Sequence, residues 1–212
     1  MYILHNIISN LLTIDGLNTL LFYNPYAKLC FTSTLTSYFR KTTYLDFDTT
    51  YTAYIRAKLI KNSSLKNIFL FTPNEGELES SINKILSDIS NSSLLIIDSL
   101  NSFYNLYYKK IDIESLKGIS NIQHTLSNFI MILLKLCRSL SIPILVTSMI
   151  RYRKKKEWIK TFTNRRLLQN KSTVILFVEM QSNNMFFLDI ITHPTLLPTT
   201  LTLDSNINMK EE

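Results

Sequence analysis

The chain has 212 residues, 46% of them apolar and 18% charged, and a net charge of +7. That length suits one α/β domain with a sizeable core, and the composition excludes a disordered or fibrous chain. No apolar run approaches the ~18 to 20 residues of a membrane span, so no membrane partner is expected. The start, Met1-Tyr-Ile-Leu-His-Asn6, lacks the basic opening and cleavage site of a signal peptide. Cys30 and Cys137 offer neither metal spacing nor a disulfide framework, which fits a reducing intracellular compartment.

The positive charge is local. Between Arg151 and Arg166 lie eight basic residues and one acid, Glu157, while the rest of the chain holds 15 basic and 15 acidic residues. A charge concentrated this way points to a binding surface rather than to general solubility.

In chain order, Ile3, Ile7 and Leu11 have the spacing of a short helix, and Asp15-Gly16 marks a turn. Leu20 to Tyr23 reads as a short buried strand, and Ala27 to Phe39 as a helix after the break at Asn24-Pro25. A nucleotide-binding α/β fold would carry its glycine-rich phosphate loop at this junction. The chain's three glycines lie elsewhere, at 16, 76 and 118, and Pro25 has no N–H to give a phosphate. Lys28 alone remains where such a loop would place its lysine.

Thr43 to Asp48 predicts a second strand, with Asp46 and Asp48 on one side if the strand runs through both. Thr52 to Ile60 predicts a helix and Ile68 to Phe71 a strand. Thr72-Pro-Asn-Glu75 has the form of a helix start, Thr72 as cap and Glu75 closing a capping box, ahead of an apolar face at Leu78, Ile82, Ile85 and Ile89. Leu94 to Ile97 then runs into Asp98. A stretch apolar on both faces suits a strand inside a parallel sheet, and an acid at its carboxyl end stands where such sheets bind ligands. The plainer reading is an aspartate that caps the next turn.

Phe103, Tyr104, Tyr107 and Tyr108 lie beside Lys109 and Lys110, a mixture that either stacks on bases or packs into the core. Ile122 to Leu140 marks the longest helix, Ser141-Ile-Pro143 ends it, and Ile144 to Ser148 is another buried strand. The basic segment follows at once. Its cations are Arg151, Arg153, Lys154, Lys155, Lys156, Lys160, Arg165 and Arg166, interleaved with Tyr152, Trp158 and Phe162. Such a segment suits phosphates and bases; the alternative is a solvated amphipathic helix or a dock for an acidic partner. Val174–Met180 and Met185–Ile191 predict a hairpin through Gln181–Asn184. The polar tail from Thr199 reads as frayed.

Several of these stretches, in this order, resemble the core of the RecA/RadA recombinase family. Leu20–Tyr23 is similar to the strand before its phosphate loop. Tyr44-Leu-Asp-Phe-Asp48 resembles its Tyr-Ile-Asp-Thr-Glu strand, which would put Asp48 at the place of the water-activating glutamate. Leu94–Ser99 resembles its Walker B strand, and Ile142–Met149 the strand ending in a polar sensor residue, here Ser148. The resemblance spans about residues 10–198 and implies a doubly wound, mostly parallel sheet with helices on both faces and a C-terminal hairpin. It predicts one domain over residues 1–198 and a disordered tail over 199–212.

The departures shape the expected function. The family's phosphate loop is missing, and its glutamate is replaced by the shorter Asp48. Lys28, Asp48, Asp98 and Ser148 are therefore expected to be a vestigial nucleotide site, with no catalytic residue, no metal and no cofactor. The family's loop after the sensor strand faces DNA, which assigns DNA binding to Arg151, Arg153, Lys154, Lys155, Lys156, Trp158, Lys160, Arg165 and Arg166. The resemblance implies a non-catalytic paralog, intracellular, that binds DNA, single strands favoured, and assists homologous recombination or repair. Its expected partner is a recombinase, a related paralog or itself. The alternatives are a scaffolding subunit without DNA contact and a degenerate ATPase whose site a neighbour completes.

Overall fold

The computed structural model describes residues 10–60, 65–74, 76–103, 116–154, 158–162, 165–182 and 185–204. The elements, in order, are β1 (Leu17–Phe22), α1 (Pro25–Tyr38), β2 (Thr42–Asp46), α2 (Thr50–Arg56), β3 (Ile68–Phe71), α3 (Leu78–Asp88), β4 (Leu94–Asp98), α4 (Leu100–Phe103), α5 (Leu116–Ser139), β5 (Ile144–Lys154), β6 (Trp158–Phe162), α6 (Arg165–Lys171), β7 (Ser172–Met180), β8 (Met185–Thr192) and β9 (Thr199–Asp204).

One sheet runs in the order β3-β2-β4-β5-β1-β7-β8-β9. From β3 to β7 every pairing is parallel; β7, β8 and β9 form an antiparallel meander. Alternation along the central strands builds two cores. Leu94 and Ile96 of β4 join Leu145, Leu29 and Phe31 on one face, while Leu95 and Ile97 join Val146, Leu126 and Ile130 on the other. Helix α1 therefore covers one face and α3 and α5 the other, which is why β4 carries no polar residue before Asp98. Cys30 and Cys137 belong to opposite cores, so the sheet separates them.

Gly16 is needed for close approach: a Cβ there would meet the Thr173 hydroxyl at 1.7 Å. Beside it, the buried Asn18 amide donates to the carbonyls of Thr13 and Ile144 and so ties the start of β1 to β5.

Three sequence expectations need correction. The tail is not frayed from Thr199: Leu201 and Leu203 alternate with polar residues, and β9 pairs with β8 from Thr199 to Asp204. Thr72 caps no helix. Its hydroxyl pairs with Thr52 at 3.0 Å, and α3 starts only at Leu78. The β5 strand does not stop at Ser148 but continues to Lys154. Of the two readings open for the aromatics beside Lys109, the core one holds for Phe103, which is edge-on to Phe47 and stacked on Phe129. Ile3, Ile7, Glu75, Tyr104, Tyr107, Tyr108, Lys109 and Lys110 lie outside the described residues.

Candidate functional site

The carboxyl ends of β1, β2 and β4, with Thr147 from the first half of β5, surround one lysine. Between β1 and α1 stand only Tyr23 and Asn24. Asn24 caps α1, its side chain accepting the Tyr26 N–H at 2.8 Å, and Pro25 fills the first helical turn. Helix α1 thus starts directly off the strand, and Lys28, one turn in, is carried over the sheet with its side chain fully buried. Its Nζ lies 2.7 Å from Asp48 Oδ2 and 2.8 Å from Asp98 Oδ1.

Asp98 ends β4 and is engaged through both of its oxygens. Its Oδ1 also accepts from the Thr147 hydroxyl at 2.6 Å, and its Oδ2 from the Tyr44 hydroxyl at 2.5 Å. Asp46 faces it from β2 in register. Asp46 Oδ2 accepts from the backbone N–H and the hydroxyl of Thr52, at 2.8 and 2.7 Å, whereas its Oδ1 is buried with no hydrogen-bond partner. Strand β2 ends at Asp46, so Asp48 does not share its face by strand alternation. A tight turn places it instead: Thr49 adopts a left-handed conformation at φ 61°, and Asp48 Oδ1 accepts the Thr50 N–H at 3.0 Å. A β-branched residue in that region stores about 1 kcal/mol or more of strain. Carboxylate oxygens of Asp46, Asp48 and Asp98 lie within 4.8 Å of one another.

Burial and charge act against each other here. Burial alone would lower the Lys28 pKa, but Asp98 and Asp48 outweigh it and hold the ammonium above its ordinary value. Burial pushes Asp48 up, yet Lys28 pulls it below the usual carboxylate range. Complete burial raises Asp98 against the pull of Lys28. Among the described residues, Asp46 has no cation of its own. Its burial, reinforced by Asp98 and Asp48 against the Thr52 hydrogen bonds, raises it to about 7. Tyr44 is pushed well above its ordinary value by burial and by Asp98.

The structure thus brings together Lys28, Asp48 and Asp98 but not Ser148. Thr147 is the β5 residue that faces them; Ser148, also buried, alternates to the face of Leu21 and Ile150. Asp46, Tyr44 and Thr52 complete the network. Only the two-residue spacing of Asp46 and Asp48 could have flagged any of these.

Among the described residues of the basic segment, 151–154 and 158–162 form an antiparallel hairpin, and Arg165 and Arg166 begin α6. Strands β5 and β6 pair from Ile150 opposite Phe162 to Lys154 opposite Trp158, with Tyr152 opposite Lys160 and Arg153 opposite Ile159. The β6 strand pairs only with β5 and stands off the path of the sheet. Arg151 and Lys154 are exposed, as are Arg165 and Arg166 at the start of α6. Tyr152, 59% exposed, stacks on Tyr23 with centroids 5.6 Å apart, and Tyr23 meets Phe177 edge-on. Lys155 and Lys156, and the side chains of Arg153, Trp158 and Lys160, lie outside the described residues.

No family model matches the sequence, and no curated protein matches it. The chain is similar to a solved structure, the crystal structure of the RadB recombinase, with a TM-score of 0.65 and 18% identity over 94% of this chain and 91% of that one. The fold is RecA-like. In this RecA-like sheet, β1 and β4 are the strands whose ends carry the Lys28 network, and β5 is the strand that continues into the basic hairpin. Among the described residues, no helix is long and apolar enough to cross a membrane.

Proposed function

We propose that this chain is a non-catalytic RecA-like protein of homologous recombination or DNA repair, which binds DNA, single strands favoured, through its β5–β6 hairpin and assists a recombinase or a related paralog. The observation that carries the reading is the double ion pair of Lys28. The fold family implies a magnesium-bound nucleoside triphosphate at these strand ends. The residues here do not fit one. Two residues separate β1 from α1, too few to wrap a phosphate in backbone N–H groups, and Pro25 donates none. The one lysine is taken by two carboxylates, and both oxygens of Asp98 already accept hydrogen bonds. Phosphoryl transfer depends on donors aimed at the moving charge, and these groups are aimed at one another.

The hairpin supports the DNA half of the reading. Exposed Arg151 and Lys154 form no ion pair among the described residues, so they are available to phosphates. Two measurements test the proposal. Phosphate release from ATP, with and without single-stranded DNA, is expected to stay at the buffer level; turnover like that of an intact recombinase, abolished by D98A, overturns the non-catalytic reading. Anisotropy titrations of labelled single-stranded DNA are expected to weaken with salt and with R151Q/K154Q. Binding indifferent to both overturns the DNA reading.

A further inference from the structure

The amino ends of β2, β3 and β4 frame a second, separate cleft of about 580 Å³, a volume suited to a small ligand. We propose that this cleft binds a nucleotide, either free or as one unit of a single strand. It lies at the other end of the sheet from Asp98, and the proposal does not depend on the hairpin.

Three cations line the cleft, Arg40, Lys41 and Lys66, and no acid does. None of the three forms an ion pair among the described residues. The C-terminal end of α1 stands two residues before Arg40, and its partial negative charge, about half a unit, offsets only a small part of the three positive charges. The remainder is an anion site without an internal counterion.

The second feature is an aromatic wall. Phe69 of the edge strand β3 is 43% exposed, unusual for a phenylalanine in a sheet with two well-filled cores. The ammonium of Lys41 lies 4.3 Å from its ring centroid. Base stacking on a ring outweighs an exposed cation–π contact. An arriving base therefore displaces Lys41 from the ring and leaves its ammonium free for the phosphate. Asn67 and Asn91 add side-chain amides that make no hydrogen bond among the described residues and can read a base edge. Cations, a stacking surface and amides in one cleft match phosphate, base and base edge. An inorganic anion would leave the ring and the amides unused.

The test titrates wild type, R40Q/K66Q, F69A and the hairpin variant R151Q/K154Q with thymidine 5′-monophosphate, with inorganic phosphate and with an oligothymidylate of about 15 nucleotides, a length near the single-strand site size. The charged side chains are exposed, so R40Q/K66Q and R151Q/K154Q are expected to unfold thermally as wild type does, while F69A, whose ring is half-buried, is expected to melt a few degrees lower and to remain folded at the assay temperature. R40Q/K66Q is expected to weaken the mononucleotide about tenfold and to cut its salt dependence. F69A is expected to weaken it about fivefold or more while leaving inorganic phosphate unchanged. If the oligonucleotide weakens in parallel, the ligand is a strand; if only the mononucleotide does, it is a free nucleotide. Loss with R40Q/K66Q but none with F69A overturns the nucleotide assignment in favour of a bare phosphate site, and no loss with either variant overturns the site. Loss of oligonucleotide binding with R151Q/K154Q alone supports the hairpin and counts against a strand in the cleft.

Discussion

Lys28 and Lys154 lie toward the same end of the sheet, and their surroundings are opposite. Lys28 is fully buried and held by two carboxylates under 3 Å away. Lys154 is exposed on a hairpin that pairs with the rest of the sheet along one strand only. A charge sealed inside a protein must be matched by the protein, so the Lys28 network is a folding device. A charge left in water needs no internal match and remains free for a partner. The contrast fits the concentration of net charge in one segment: the interior lysine is matched by Asp48 and Asp98, whereas among the described residues Arg151 and Lys154 of the hairpin pair with no acid.

The largest expected effect strikes the sealed half. Lys28→Met leaves Asp48 and Asp98 facing each other without a cation, and removing one partner from a buried pair costs about 3–5 kcal/mol. Urea unfolding measures it. An effect under ~1 kcal/mol would mean that the network does not hold the fold. The companion D98N in a Lys28→Met background should recover part of the loss, because the pair is coupled.

Next comes pH. The Asp46 carboxyl is raised in the folded state to about 7, from 3.8. The native state therefore favours the protonated form, and its contribution is fully present below the unfolded pKa and lost as pH rises through about 7. Stability is expected to fall across that window, and D46N, which keeps the shape and removes the proton, to flatten the curve. Asp48, held low by Lys28, acts in the other direction and only at acid pH, below its ordinary carboxylate value.

For the open half, each phosphate contact adds about −0.7 to the salt slope on single strands. R151Q/K154Q should therefore make that slope shallower by about 1.4 and leave urea stability unchanged. A variant that lowers stability but leaves the slope alone would erase the distinction between the two regions. The smallest effect is Tyr152→Ala. It removes the stack on Tyr23 that ties the hairpin to β1 and should cost about 0.5–1.5 kcal/mol, read as a small drop in melting temperature.

Much of the architecture was legible because its signals are local. Four apolar residues before Asp98 announce a strand buried on both faces, and the i, i+3, i+4 pattern from Ile122 announces the long helix. The hairpin at Gln181 was readable from two apolar runs and a polar turn. In the basic segment, cations hid the period-two step from Ile150 to Tyr152, which Phe162 and Lys160 face across the hairpin, so the strand extension was missed. The tail was misread for a related reason. Leu201 and Leu203 carry a strand pattern, but two leucines among threonines have no value until β8 offers an edge to pair with.

The site divides the same way. Sequence alone determined which charges stand at strand ends, that the first strand-to-helix junction lacks a glycine cradle, and that the excess positive charge is confined to one segment. It could not determine what Lys28 does, because a lysine on a helix reads the same whether it faces water or a carboxylate. Only the tertiary structure decided that α1 turns it inward over β4, that a left-handed Thr49 brings Asp48 round to meet it, and that Thr147 rather than Ser148 looks onto the pair. Those outcomes depend on the side-chain direction of elements far apart in the chain. Direction is set by how helix and sheet pack, and no local pattern encodes it.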